Sequence, residues 1–203
     1  MKKIVALVSA VALATLIGCG AKDAEADDNW NTSEHNYNLS SGSWGLEVRT
    51  YGNDDYDHVE GKYKLTDKLE LALRYAEDGT DTEIRPKLTH KIMKVGPLSL
   101  AHRIEYRYFE GVKDDNWRYR GIIGLKAGSA WVKLQPRWEF GAGKTGDAKI
   151  DNVKWQTGYD FTLSKSETSA VKFTPYVEYQ TDGEDGDWAK KHMILGTKLS
   201  VKF

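Results

Sequence analysis

The stretch LSLAHRIEYRYF, from Leu98 to Phe109, alternates large apolar and polar side chains. Successive side chains of an extended strand point to opposite sides, so this alternation predicts a strand with one apolar and one polar face. The same period of two recurs from Ser43 onward, interrupted by clusters of Gly, Asp, Asn and Lys that are typical of turns. It predicts ten strands: Ser43–Tyr51, Tyr56–Leu65, Leu69–Ala76, Thr82–Ile92, Leu98–Phe109, Asn116–Ala127, Ala130–Phe140, Asn152–Phe161, Ala170–Gln180 and Trp188–Phe203.

The connections between these strands alternate between short and long, which favours an all-β, antiparallel, up-and-down transmembrane barrel. An even number of strands predicts that both chain ends lie on the side of the short turns. A water-soluble sandwich or lipocalin-like barrel would show the same alternation with its apolar face inside. The membrane interpretation is favoured by an N-terminal signal segment, by only 4 Pro residues and by Phe203, which closes a final alternating run.

The amino-acid composition argues against several other classes of protein. With 203 residues, 40% hydrophobic content and a net charge of −1, the chain predicts one folded domain and no nucleic-acid partner. A single Cys excludes an internal disulfide framework. After residue 19, no apolar run approaches the roughly 20 residues of a membrane-spanning helix.

The N-terminus is typical of a targeting segment. Two lysines precede an apolar run from Ile4 to Ile17, as in a secretory signal, and Leu16-Ile17-Gly18-Cys19 resembles a bacterial lipobox. We therefore predict a signal peptide at 1–18, lipidation at Cys19, a polar tether at 19–42 and a barrel at 43–203. The alternative is ordinary cleavage after Ala21 or Ala26.

Charge is distributed unevenly between the strands and the loops. The polar strand faces carry 19 Lys and Arg against 8 Asp and Glu, whereas the five longer connections carry 15 acidic residues against 3 lysines. A basic lumen concentrates anions. The candidate anion-binding residues are the arginines on the polar faces: Arg74, Arg85, Arg103, Arg107, Arg118, Arg120 and Arg137. The alternative is that they pair with the glutamates and fill a closed barrel.

Catalytic and metal sites have little support in the sequence. Acidic loops could hold Ca²⁺ or Mg²⁺ against lipopolysaccharide, but no calcium-loop spacing is present, so we predict no metal site and no cofactor. His58, Asp81 and Asp182 are candidates for a catalytic group at the rim, and nothing in the sequence brings them together. We therefore do not predict an enzyme.

Several segments resemble a known family. Leu65–Tyr75, Arg103–Glu110, Thr174–Tyr179 and the terminal alternating run are similar to the small oligogalacturonate-specific porins of Gram-negative bacteria. This resemblance implies a monomeric outer-membrane channel of twelve strands that passes acidic oligosaccharides. Twelve strands would require an additional pair, drawn from Asn29 to Leu39 and from the division of a long segment.

The sequence thus predicts an outer-membrane, porin-like channel for small anionic solutes, among them acidic oligosaccharides. It also predicts contact with outer-membrane lipid and lipopolysaccharide. The alternative function is a closed structural or adhesion barrel with a salt-bridged interior. A rim-active enzyme is the third alternative.

Overall fold

The computed structural model describes residues 32–52, 56–78, 81–111, 114–141, 149–182 and 191–203. The signal segment, Cys19 and most of the predicted tether lie outside these residues. Within the described ranges, no helix is long and apolar enough to cross a membrane. The described strands are β1 (Thr32–Ser41), β2 (Trp44–Tyr51), β3 (Tyr56–Lys64), β4 (Leu69–Asp78), β5 (Asp81–Val95), β6 (Leu98–Glu110), β7 (Asn116–Ala127), β8 (Ala130–Gly141), β9 (Lys149–Tyr159), β10 (Phe161–Lys165), β11 (Ala170–Asp182) and β12 (Lys191–Lys202).

The strands form one closed barrel, which confirms the predicted fold class. Sequential strands pair in antiparallel fashion from β1 to β9, and β11 then pairs with both β9 and β12. β9 and β10 are two parts of one strand, because the register continues from Gly158–Tyr176 to Phe161–Phe173. The interruption lies beside Pro175, which has no amide hydrogen to donate to its neighbour. Eleven strands therefore surround the barrel, one more than predicted.

The additional strand is β1. Its sequence, TSEHNYNLSS, is largely polar, which explains why the alternation of apolar residues did not reveal it. It pairs with β2 from Glu34–Tyr51 to Ser41–Trp44. The barrel thus includes residues 32–41, which the sequence assigned to the tether.

The barrel closes through a parallel pair. β1 and β12 run in the same direction, with Thr32 beside Ile194 and Ser40 beside Lys202. Thr32 therefore lies at the end of the long connections, whereas Phe203 lies at the end of the short turns. The prediction that both chain ends lie on the side of the short turns is therefore wrong for the first and last strand of the barrel. With an odd number of strands, these two strands run in the same direction.

The two ends of the barrel differ in their connections. At one end, tight turns at Gly96 and Gly128 join adjacent strands, and their φ angles of +55° and +60° belong to the left-handed region that glycine tolerates. At the other end, residues 53–55, 112–113, 142–148 and 183–190 lie outside the described residues, and with them many of the predicted acidic loop residues. The connection predicted to be long at Glu77–Asp81 is shorter, because β4 continues to Asp78 and β5 begins at Asp81.

The barrel is inverted relative to a water-soluble globule. Its outer face carries exposed large apolar residues, such as Leu73 and Leu195, each 57% exposed. Its most deeply buried large side chains are five carboxylates: Glu34, Glu60, Glu83, Glu105 and Glu178. Water-soluble proteins bury charged residues only rarely. The expected orientation, with charges inside and most large apolar side chains outside, is confirmed for the described residues.

Candidate functional site

A cavity of about 620 Å³ lies inside the barrel. Its lining extends from Tyr51, the last residue of β2 at the long-connection end, to Lys126, two residues before the Gly128 turn at the opposite end. Thirteen Lys and Arg side chains line it, against three carboxylates. All seven arginines that the sequence nominated lie in this lining, as predicted from their position on the polar strand faces. The cavity is therefore strongly basic.

Three arginines of β5, β6 and β7 are held by glutamates of β5 and β8. The Arg107 guanidinium lies 3.2 Å from Glu83 Oε2 and 2.8 Å from Glu139 Oε1. Arg85 also pairs with Glu83, and Arg118 pairs with Glu139. Because each carboxylate serves two arginines, this chain of contacts keeps more positive than negative groups at the cavity surface.

Glu105 is the centre of a second cluster. It is completely buried, and the guanidinium groups of three arginines surround it: Arg120 at 3.1 Å, Arg85 at 3.4 Å and Arg103 at 3.7 Å. Arg103 also donates to Thr89 Oγ1 at 2.8 Å. One negative charge thus orients three cations whose side chains retain 4–18% exposure.

The adjoining part of the wall, from β1 to β5, repeats this arrangement. Glu60 lies 2.8 Å from Arg74 Nε and 2.5 Å from Lys87 Nζ. Arg49 bridges Glu34 at 3.1 Å and Glu47 at 2.8 Å. Each of these glutamates is less exposed than the arginine that it contacts. Charged pairs of this kind fix the orientation of long cationic side chains, which lets them present defined charges to the cavity.

Lys133 and Lys198 differ from the arginines. Both line the cavity, and neither forms an ion pair with any of the carboxylates that the structure describes. Glu47 lines the same cavity and is instead in contact with Arg49 and Lys62. Much of the uncompensated positive charge of the lumen therefore resides on these two lysines, which the sequence placed on the polar faces but did not single out.

Three aromatic residues of the lumen were also missed. Tyr51, Trp131 and Tyr176 line the cavity, although most aromatic residues lie on the outer face. Their position could have been read from the alternation, because Trp131 shares its face with Lys133, and Tyr176 shares its face with Glu178.

The side chains considered for catalysis, as far as the structure describes them, do not form a catalytic group. His58 is buried in the wall, with Nε2 3.5 Å from Glu47 Oε1, and Asp81 is buried at the start of β5. The side chain of Asp182 lies outside the described part of the chain. His90 and His102 form a pair on the outer face, with Nδ1 and Nε2 3.1 Å apart. Across the described ranges, no three His, Cys, Asp or Glu side chains form a group that could hold a metal ion.

Known proteins give no family assignment. No protein-family model matches this sequence, and no curated protein matches it. The resemblance to oligogalacturonate-specific porins remains a prediction from the quoted segments.

Proposed function

We propose that the protein is an outer-membrane channel for small anionic solutes, with acidic oligosaccharides among them. The observation that carries this proposal is the cavity whose lining holds thirteen basic side chains and three carboxylates. Positive potential in a low-dielectric wall raises the local concentration of anions and excludes cations. The apolar outer face supports a membrane location, because a transmembrane barrel presents apolar side chains to lipid and polar side chains to its interior.

Conductance in planar bilayers tests this proposal. We expect the full chain to open a channel whose reversal potential, in a KCl gradient, indicates preference for chloride. Replacement of Arg103 and Arg107 by Ala should shift that potential towards cation selectivity, because two positive groups leave the lining. Heat-modifiable migration on a gel should be retained, which would show that the variant still folds. Cation preference in the unaltered protein, or unchanged selectivity in the double variant, would contradict this account.

The ion-pair clusters favour one alternative, a closed structural barrel. Eight-stranded barrels are filled by side chains and barrels of sixteen strands leave a channel, so eleven strands lie between these cases. The ion pairs from Arg85 through Glu83, Arg107 and Glu139 to Arg118 link four neighbouring strands, as expected for a salt-bridged interior. A folded protein that gives no current in bilayers would support this alternative.

A further inference from the structure

One region of the lumen carries features that ion pairing does not explain. Four neighbouring strands place Trp131, Gly158, Tyr176 and Gly196 in one row across the wall. A Cβ atom at Gly158 would lie 2.6 Å from Cζ2 of Trp131, and one at Gly196 would collide with the Tyr176 ring. The two aromatic rings therefore lie over the glycines, which leave room for them against the wall. Their centroids are 6.4 Å apart and their planes are inclined at 41°.

Both rings are held in place by carboxylate partners. Trp131 Nε1 donates to Asp160 Oδ1 at 3.2 Å, and Thr174 Oγ1 donates to the same oxygen at 3.0 Å. The Tyr176 hydroxyl donates to Glu34, which is fully buried. The indole and phenol polar groups are thus satisfied at the wall, and the rings remain as a fixed aromatic surface that lines the cavity.

Cations flank this aromatic surface. The Lys133 ammonium lies 5.4 Å from the centroid of the Trp131 ring. On the other side, Lys198 is the register neighbour of both Thr174 and Asn36. An anion bound to Lys133 is therefore held beside the Trp131 ring, and Lys198 lines the same cavity. The Asn36 and Asn38 side chains of this lining can hydrogen-bond hydroxyl groups.

We propose that Trp131, Tyr176, Lys133 and Lys198 form a binding site for one acidic sugar ring. The aromatic faces would pack against the C–H face of the ring, because their negative quadrupole attracts polarised hydrogens. A lysine would bind the carboxylate, and the asparagines would bind hydroxyl groups. Ligand sites in proteins commonly combine aromatic surface with a few placed polar groups in this way. This inference rests on the proposed function, because the ligand enters through the lumen.

The test compares three probes on the full chain folded in detergent, by titration calorimetry. D-glucuronate carries a ring and a carboxylate, D-glucose carries only the ring, and acetate carries only the carboxylate. We expect glucuronate to bind at least about tenfold more tightly than glucose or acetate. Trp131→Leu should reduce glucuronate affinity to that of acetate, and Lys198→Gln should reduce it to that of glucose.

Matched controls separate the site from general effects. Trp117→Leu removes an aromatic ring from the outer face, and Lys165→Gln removes an exposed lysine at the end of β10, outside the cavity lining. Both should leave glucuronate affinity unchanged. Equal binding of acetate and glucuronate, or an equal loss in Trp117→Leu and Trp131→Leu, would overturn the site. If Trp131→Leu fails to fold, the glucuronate affinity of Lys198→Gln tests the site by itself.

Bilayer current distinguishes this inference from the proposed function. Anion-selective current without preferential glucuronate binding overturns the sugar site and leaves the channel. Preferential glucuronate binding without any current overturns the channel and leaves a sugar-binding site in a closed barrel.

Discussion

Glu105 gives the sharpest test of how the lumen is built. Replacement by Gln keeps the volume of the side chain and one oxygen acceptor, and removes the charge that three arginines share at 3.1–3.7 Å. Removing one partner of a buried ion pair costs about 3–5 kcal/mol, because the remaining charge stays buried. The three arginines retain some exposure to the cavity, so we expect a loss near the lower value, about 3 kcal/mol.

Urea unfolding of the barrel in detergent measures this loss. With an m-value of about 2 kcal/mol per molar urea, a destabilisation of about 3 kcal/mol lowers the midpoint by about 1.5 M. Glu110→Gln is the matched control, because Glu110 is exposed at the end of β6. A second readout follows from the charge: Glu105→Gln removes a negative group from the interior, and should increase the preference for chloride over potassium in bilayers.

A double-mutant cycle locates the effect. Combining Glu105→Gln with Arg120→Gln should cost less than the sum of the two single changes, by about 1–3 kcal/mol, because the two side chains are in contact. Equal midpoints for Glu105→Gln and Glu110→Gln would refute the reasoning, since they would mean that the buried carboxylate does not hold its arginines.

The parallel closure and the apolar exterior give two further predictions. In a Cys-free background, Ser33→Cys with Leu195→Cys and Leu39→Cys with Val201→Cys should both form disulfides, because the parallel register makes each pair adjacent. On the outer face, Leu73→Arg should destabilise the barrel in lipid vesicles by about 2–4 kcal/mol, because a cation near the centre of β4 would face hydrocarbon. Folding titrations in urea measure this loss.

Each of these predictions has its own control. An antiparallel closure would instead cross-link Ser33 with Val201 and Leu39 with Leu195, so disulfides in those combinations would contradict the parallel pair. Leu163→Arg lies near the short-turn end, where the cost of an arginine falls to about 0–1 kcal/mol. Similar small costs at both positions would indicate a water-exposed exterior.

The lipobox-like sequence at Cys19 gives a further prediction. Cells that express the full chain with labelled palmitate should incorporate the label, and Cys19→Ser should abolish incorporation. Incorporation that persists in the Cys19→Ser variant would remove Cys19 as the lipid site.

Much of the wall could be predicted because its signal is local. Alternation within Leu98–Phe109 already separates Tyr108, on the exposed face, from Glu105, which is fully buried. The same rule placed all seven nominated arginines in the cavity lining. It failed for β1, where few large apolar residues mark the outer face and pairing with β2 and β12 defines the strand.

The sequence alone determined ten of the strand segments and the division of their side chains between two faces, since both follow from the geometry of a single extended chain. Only the tertiary structure decided the number of strands around the barrel, the parallel contact between β1 and β12, and the sharing of Glu105 by three arginines. These features depend on register between strands that are distant in the chain, and one residue of slippage would exchange the inner and outer faces. The basic cavity and its aromatic wall are therefore properties of barrel closure, although every residue that forms them is visible in the sequence.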